Sequence, residues 1–171
     1  MTTKKITAIS LFTALAVITN LFSFNTGVKH FMVSFNYIPC FIAGAFLGPV
    51  EGFIVGFMGD LLGGLIRPLG PYIPLIGIAS GLLGFIPGMV FKYLKLNDYL
   101  KLIVSMLLCL IICTAGINTY ALFLTSSKGK SFWAYLGVRL PFQSAVAVMN
   151  LAVLAAAWKP LKFLNKKYYS K

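Results

Sequence analysis

The feature that most limits this chain is a succession of long apolar segments that are almost free of charge. A helix crossing about 30 Å of hydrocarbon needs about 20 mostly apolar residues. Such runs lie near 5–24, 34–48, 50–66, 71–93, 100–124 and 137–158. Because lipid offers the backbone no hydrogen-bond partners, apolar runs of this length predict helices. The expected fold class is therefore all-α, an integral membrane bundle of six transmembrane helices forming one domain over 1–171. The second run is short, and only Gly48-Pro49 separates it from the third. Pro68, Pro71 and Pro74 break the chain after the third run, Lys92 to Asp98 divides the fourth from the fifth, and Ser126 to Ser131 is a polar loop before the sixth.

The charges agree with a membrane address. Only 11% of residues are charged and 59% are hydrophobic, too few charges to cover a water-facing surface of ordinary composition. Fifteen Lys and Arg oppose three acids, Glu51, Asp60 and Asp98. In a soluble protein the +12 balance would point to nucleic acid, but here the basic residues fall mostly between and beyond the apolar runs. With both termini on one side, that side holds Lys4, Lys5, Lys92, Lys95, Lys101, Lys159, Lys162, Lys166, Lys167 and Lys171. The other side holds Lys29, Arg67, Lys128, Lys130 and Arg139. This asymmetry predicts cytoplasmic termini in a cell membrane, with a smaller basic set facing outside.

Two other readings are weaker. Lys4 and Lys5 before an apolar run, with Ala14-Leu15-Ala16 following, resemble a signal peptide, but apolar character continues through Val17, Ile18, Leu21 and Phe22. Cys40, Cys109 and Cys113 all sit in apolar stretches, and His30 is the only histidine, so no metal-ligand spacing exists. The cysteines read as small packing residues.

Small residues recur where helices should touch. Gly52, Gly56, Asp60 and Gly64 repeat every four residues in the third run, and Gly77/Gly81 and Gly84/Gly88 do so in the fourth. This spacing lines one helix face with small side chains and lets backbones approach closely.

Polar residues inside spans are costly and mark candidate sites. Asp60 is the only acid well inside a run: it reads either as a proton, cation or ligand site, or as an acceptor for neighbouring donors or Arg67. In the sixth run Arg139, Gln143 and Asn150 fall within about 40° of one helix face. An arginine at that depth offers a planar charged fork suited to a carboxylate. The fifth run supplies Thr114, Asn118, Thr119 and Tyr120, and Asn118 is able to read a heterocycle with both donor and acceptor. The segment Arg67-Pro-Leu-Gly-Pro-Tyr-Ile-Pro74 reads as a rigid turn carrying a cation and the aromatic Tyr72. Catalysis has little to work with, since no paired carboxylates and no phosphate-cradling loop occur. A small integral-membrane enzyme acting on lipid headgroups is the rival class, and three scattered acids do not supply its chemistry.

The pattern resembles the substrate-binding (S) subunits of energy-coupling-factor vitamin transporters over nearly the whole chain. The resemblance runs through Phe46-Leu-Gly-Pro-Val-Glu-Gly52, Gly59-Asp-Leu-Leu-Gly63, Pro68-Leu-Gly-Pro-Tyr-Ile-Pro74 and Gly84-Phe-Ile-Pro-Gly88. Ile117-Asn-Thr-Tyr-Ala-Leu122, Lys128-Gly-Lys130 and Arg139-Leu-Pro-Phe-Gln143 look most like the folate branch. It implies an importer subunit that captures folate from outside and works with a transmembrane coupling subunit and two ATPases, which alone use ATP. It implies no cofactor, and toppling in the membrane to release ligand. On this reading Asn118, Gln143 and an aromatic such as Tyr72 suit the pterin, while Arg67, Lys128, Lys130 and Arg139 suit the glutamate tail, and Tyr120 is a further ligand-binding candidate. Pantothenate, riboflavin or a queuosine precursor are the alternative ligands. The family's Ala-xxx-Ala coupling motif is matched here only by Ser10-Leu-Phe-Thr-Ala14, and its aromatic after Asn-Thr-x is Ala121.

Overall fold

A computed structural model describes residues 3–22, 24–25, 32–68, 73–126 and 132–169. The helices are α1 (Thr3–Leu21), α2 (Tyr37–Leu47), α3 (Pro49–Ile66), α4 (Pro74–Tyr93), α5 (Asp98–Cys109), α6 (Thr119–Ser126) and α7 (Phe132–Tyr169). A π-helical segment, Leu110–Asn118, joins α5 to α6 without a break, so the bundle has six helical units. The expected all-helical membrane bundle is what forms. Five stretches are long and apolar enough to cross a membrane: Thr3–Leu21, Pro49–Ile66, Pro74–Tyr93, Asp98–Leu124 and Arg139–Phe163. The sixth unit, α2, has only 11 residues. At 1.5 Å per residue it covers about 16 Å, roughly half the hydrocarbon.

Two local features depart from the sequence reading. Residues 34–36, expected at the start of the second helix, are not helical, and the backbone N–H of Asn36 donates to the Ser34 hydroxyl at 3.2 Å. Serine and asparagine offer the backbone such local alternatives to a helix. Before them, Phe24–Asn25 and Met32–Val33 pair as a two-stranded antiparallel ribbon.

Proline starts α3 and α4, where its missing N–H would be unpaired anyway. Gly48, between α2 and α3, has φ +124° and ψ 170°, a conformation open essentially only to glycine. The turn brings α2 and α3 against α4 with their backbones nearly touching. A Cβ on Gly84 would lie 2.1 Å from the Gly52 carbonyl oxygen, and one on Gly44 would lie 2.0 Å from that of Gly84. The small-residue spacing in the third and fourth runs therefore marks a three-helix contact built on bare backbone.

Inside α4, Pro87 cannot donate to the carbonyl four residues back, which belongs to Leu83. The Cys109 thiol of α5 points at that carbonyl, 4.0 Å away. A weak sulfur donor thus faces the carbonyl that lacks its backbone bond, while the thiol stays a small buried packing group.

Contacts define the two ends of the bundle. At one end Lys5 of α1 pairs with Glu51 of α3 at 3.1 Å, and Lys162 of α7 pairs with Asp98 of α5. Trp158 of α7 stacks there on Phe46 of α2 at 5.1 Å and meets Phe91 of α4 at 5.0 Å. At the other end Arg67 donates to the Leu21 carbonyl at 2.8 Å, closing α3 onto the end of α1.

Candidate functional site

The end away from the lysine pairs holds most of the buried polar side chains. Arg139 and Gln143 of α7 are only 8% and 7% exposed, one turn apart on the same face. Across from them stand Thr114 of the π segment and Thr119 of α6, both buried. These four, with Leu110, Ala115, Leu136 and Leu140, line a narrow cleft with room for about one water molecule. Polar groups converge from two helices on an apolar frame, the usual composition of a small-molecule site.

The local backbone shapes this wall. In the π segment N–H groups bond five residues back instead of four, a geometry that concentrates at functional sites. The Thr119 hydroxyl follows the same register, donating to the Thr114 carbonyl at 2.7 Å. Arg139 Nη1 donates to the Asn118 carbonyl at 3.3 Å, which ties α7 to the end of the π segment. The Asn118 side-chain oxygen is buried beside it with no hydrogen-bond partner among the described residues.

A third element closes the floor. Tyr37, the first residue of α2, shares a 2.6 Å hydrogen bond with the Thr114 hydroxyl, and both are buried. Asn150 is fully buried two turns below Gln143. Its side-chain amide donates to the Ser34 carbonyl at 3.1 Å and to the Val146 carbonyl at 2.9 Å. Ser34 and Tyr37 do not stand out from their apolar sequence context. The available signal was the cluster Ser34-Phe-Asn-Tyr37 at the start of an unusually short run.

The structure thus brings together Asn118, Arg139 and Gln143 of the candidate residues. Tyr120 lies apart from them: it is 51% exposed, while its neighbour Ala121 is 1% exposed and faces inward. Consecutive helical residues point about 100° apart, so an aromatic at 120 does not stand in for one at 121. Asp60 does not line the cleft either. Its Oδ1 accepts from Asn20 of α1 at 3.3 Å and from Ser80 of α4 at 3.2 Å. Among the described residues it makes no ion pair with Arg67, which is exposed and turned to the Leu21 carbonyl. Tyr72, Lys128 and Lys130 lie outside the described residues. Ser10 and Ala14 are both exposed on one face of α1, whereas Ala8 and Ala16 face the bundle.

Comparison with known proteins bears on what such a bundle is. The chain is 27% identical over 137 residues to the folate transporter FolT of Clostridium novyi (strain NT), covering 78% of each protein. A UPF0397 protein of Streptococcus gordonii is 31% identical over 94 residues, 55% of this chain and 50% of that one, so the chain spans about half the length of that relative. Among solved structures, FolT bound with folic acid superposes with a TM-score of 0.76 at 22% identity, over 96% of this chain and 98% of that one. The S component of a bacterial ECF transporter gives 0.72 at 19% identity, over 95% and 98%. These likenesses establish the fold. A family model described as "ECF-type riboflavin transporter, S component" matches residues 1–159. The chain belongs to this family, the membrane-embedded S components of ECF-type vitamin transporters.

Proposed function

We propose that this S component captures folate or a reduced folate at the outer face and hands it inward with a partner module. The observation that carries the reading is the buried Arg139–Gln143 pair facing Thr114 and Thr119 across the cleft. Folate joins a flat pterin, rich in hydrogen-bonding groups, to a glutamate with two carboxylates. Gln143 and Asn118 present amides to the ring, and Arg139 presents a charged fork to a carboxylate. The likeness to FolT of Clostridium novyi and to the folic-acid-bound FolT structure supports the same ligand. With room for about one water molecule, the cleft is far smaller than sites for ligands of this size, about 300–1,000 Å³. Its walls must part when ligand binds, and α7 is the wall least fixed by glycine contacts.

The proposed orientation puts the lysine-rich end in the cytoplasm. The exposed Ser10–Ala14 face of α1 is then a small-residue surface for a transmembrane coupling subunit, with two ATPases supplying the energy. Tyr72, Lys128 and Lys130 stay assigned to the outer mouth, and Arg67 to its rim.

Calorimetric titration of the purified protein with folate, riboflavin and pantothenate tests the reading. Saturable folate binding is expected, weakened about 10- to 150-fold by Arg139→Ala, the range for losing a hydrogen bond to a charged group. The description of the matching family favours one second reading, riboflavin. Tight riboflavin binding without folate binding would establish it and refute the first.

A further inference from the structure

We propose that the end of the bundle carrying both described termini is a docking surface for anionic phospholipid headgroups. The inference begins with the length of α7. Its 38 residues extend about 57 Å, nearly twice the hydrocarbon thickness. The apolar part ends at Phe163, and the helix backbone runs on through positions 166 and 167, both lysine. This is a membrane helix continued into the headgroup layer.

Two contacts gather lysines from other helices at the same level. Trp158, packed between Phe46 and Phe91, fixes α7 against the ends of α2 and α4. Lys162 reaches Asp98 at the start of α5 and still keeps 62% of its side chain exposed. Lys92 in the last turn of α4 and Lys95 in the α4–α5 turn are both exposed beside it, and Lys159 is exposed on α7. Asp98 is the one acid described in this group, and Lys162 engages it, so the remaining lysines are uncompensated there.

The surroundings favour lipid over an acidic protein. Exposed aromatic side chains alternate with the lysines: Tyr93 at the end of α4, Tyr99 at the start of α5, and Phe163, 70% exposed, on α7. Lys92 Nζ sits 5.3 Å from the Tyr93 ring centre, and Lys101 Nζ 5.4 Å from that of Phe91. Rings with an apolar body and a polar edge settle at the membrane interface, and lysine stems lie along them with the ammonium directed to phosphate. Clusters of four to eight basic residues next to a membrane helix recognise anionic headgroups.

The test is native mass spectrometry of the full chain from nanodiscs with equal phosphatidylglycerol and phosphatidylcholine, beside a Lys92→Gln/Lys95→Gln/Lys159→Gln variant and its Lys→Arg counterpart. Wild type should retain phosphatidylglycerol at least about fivefold over phosphatidylcholine, the preference one such lysine confers. The glutamine variant should lose that preference, the arginine variant should keep it, and circular dichroism should show all three folded. Equal retention of both lipids by wild type overturns the proposal, as does an undiminished preference in the folded glutamine variant. If lipid preference is absent but the glutamine variant fails to assemble with the coupling subunit and ATPases, the surface docks protein instead. Vitamin titration of the same samples reads the capture site separately.

Discussion

Replacing Gly84 by alanine probes the contact on which α2, α3 and α4 are assembled. The new Cβ would stand 2.1 Å from the Gly52 carbonyl oxygen and 2.5 Å from its carbon. That oxygen is about 1.4 Å inside the ~3.5 Å of an unstrained heavy-atom contact. Because the obstacle is backbone, no side-chain rotation relieves it and the helices must separate. Overpacking of this kind costs about 1–3 kcal/mol, and an immovable neighbour places Gly84→Ala near the top of that range. Alanine returns about 1 kcal/mol of helix propensity, leaving a net loss of about 2 kcal/mol. Gly137 supplies the control, since a Cβ there meets nothing within 4 Å. Gly137→Ala should be neutral or stabilising by up to about 1 kcal/mol. At about 2–4 °C per kcal/mol for a chain of this size, Gly84→Ala should lower the midpoint by about 4–8 °C. Thermal unfolding in detergent, followed by tryptophan fluorescence, measures both variants. If Gly84→Ala melts at or above Gly137→Ala, the backbone contact is not what holds these helices together.

Three further outcomes follow from the same structure. Asn150→Ala removes the donor to the Ser34 carbonyl and should cost about 1 kcal/mol in the same melt, while Asn150→Gln, too long for the site, should not restore it. Cys109→Ser places a stronger donor opposite the Leu83 carbonyl freed by Pro87 and should match wild-type stability, whereas Cys109→Ala should fall below both by about 0.5–1 kcal/mol. A double-mutant cycle on Lys5→Gln and Glu51→Gln should give a coupling under about 1 kcal/mol that shrinks with added salt, because the Lys5 side chain is 43% exposed.

The apolar runs and the glycine spacing made the helices and their contact faces legible, because lipid leaves a helix few other ways to satisfy its backbone. The polar stripe of Arg139, Gln143 and Asn150 was legible for the same reason. What periodicity could not carry was anything set by another element. The π segment arises from a register that no single residue type encodes, and it sits where Thr114 and Asn118 had been placed by α-helical spacing. Tyr37 meets Thr114 across 77 positions, and Asn150 meets Ser34 across 116. Such pairs exist only once the bundle has formed. Asp60 shows the same limit from the other side. Its acidity marked it as exceptional, but only the packed neighbours Asn20 and Ser80 reveal what it bonds.

The shortness of α2 has an electrical consequence. The Ser34 carbonyl, above the start of that helix, is held by Asn150, near the middle of the 25-residue span Arg139–Phe163. Irregular backbone at such depth needs a partner from protein or water, and the Asn150 amide supplies one. A ligand captured above this level, as the proposed function has it, still has about half the span to cross. For a dianion the full crossing opposes an inside-negative potential by about 4.6 kcal/mol per 100 mV, twice the work for one charge. On that reading the electrical work of the inner half falls on delivery and not on capture.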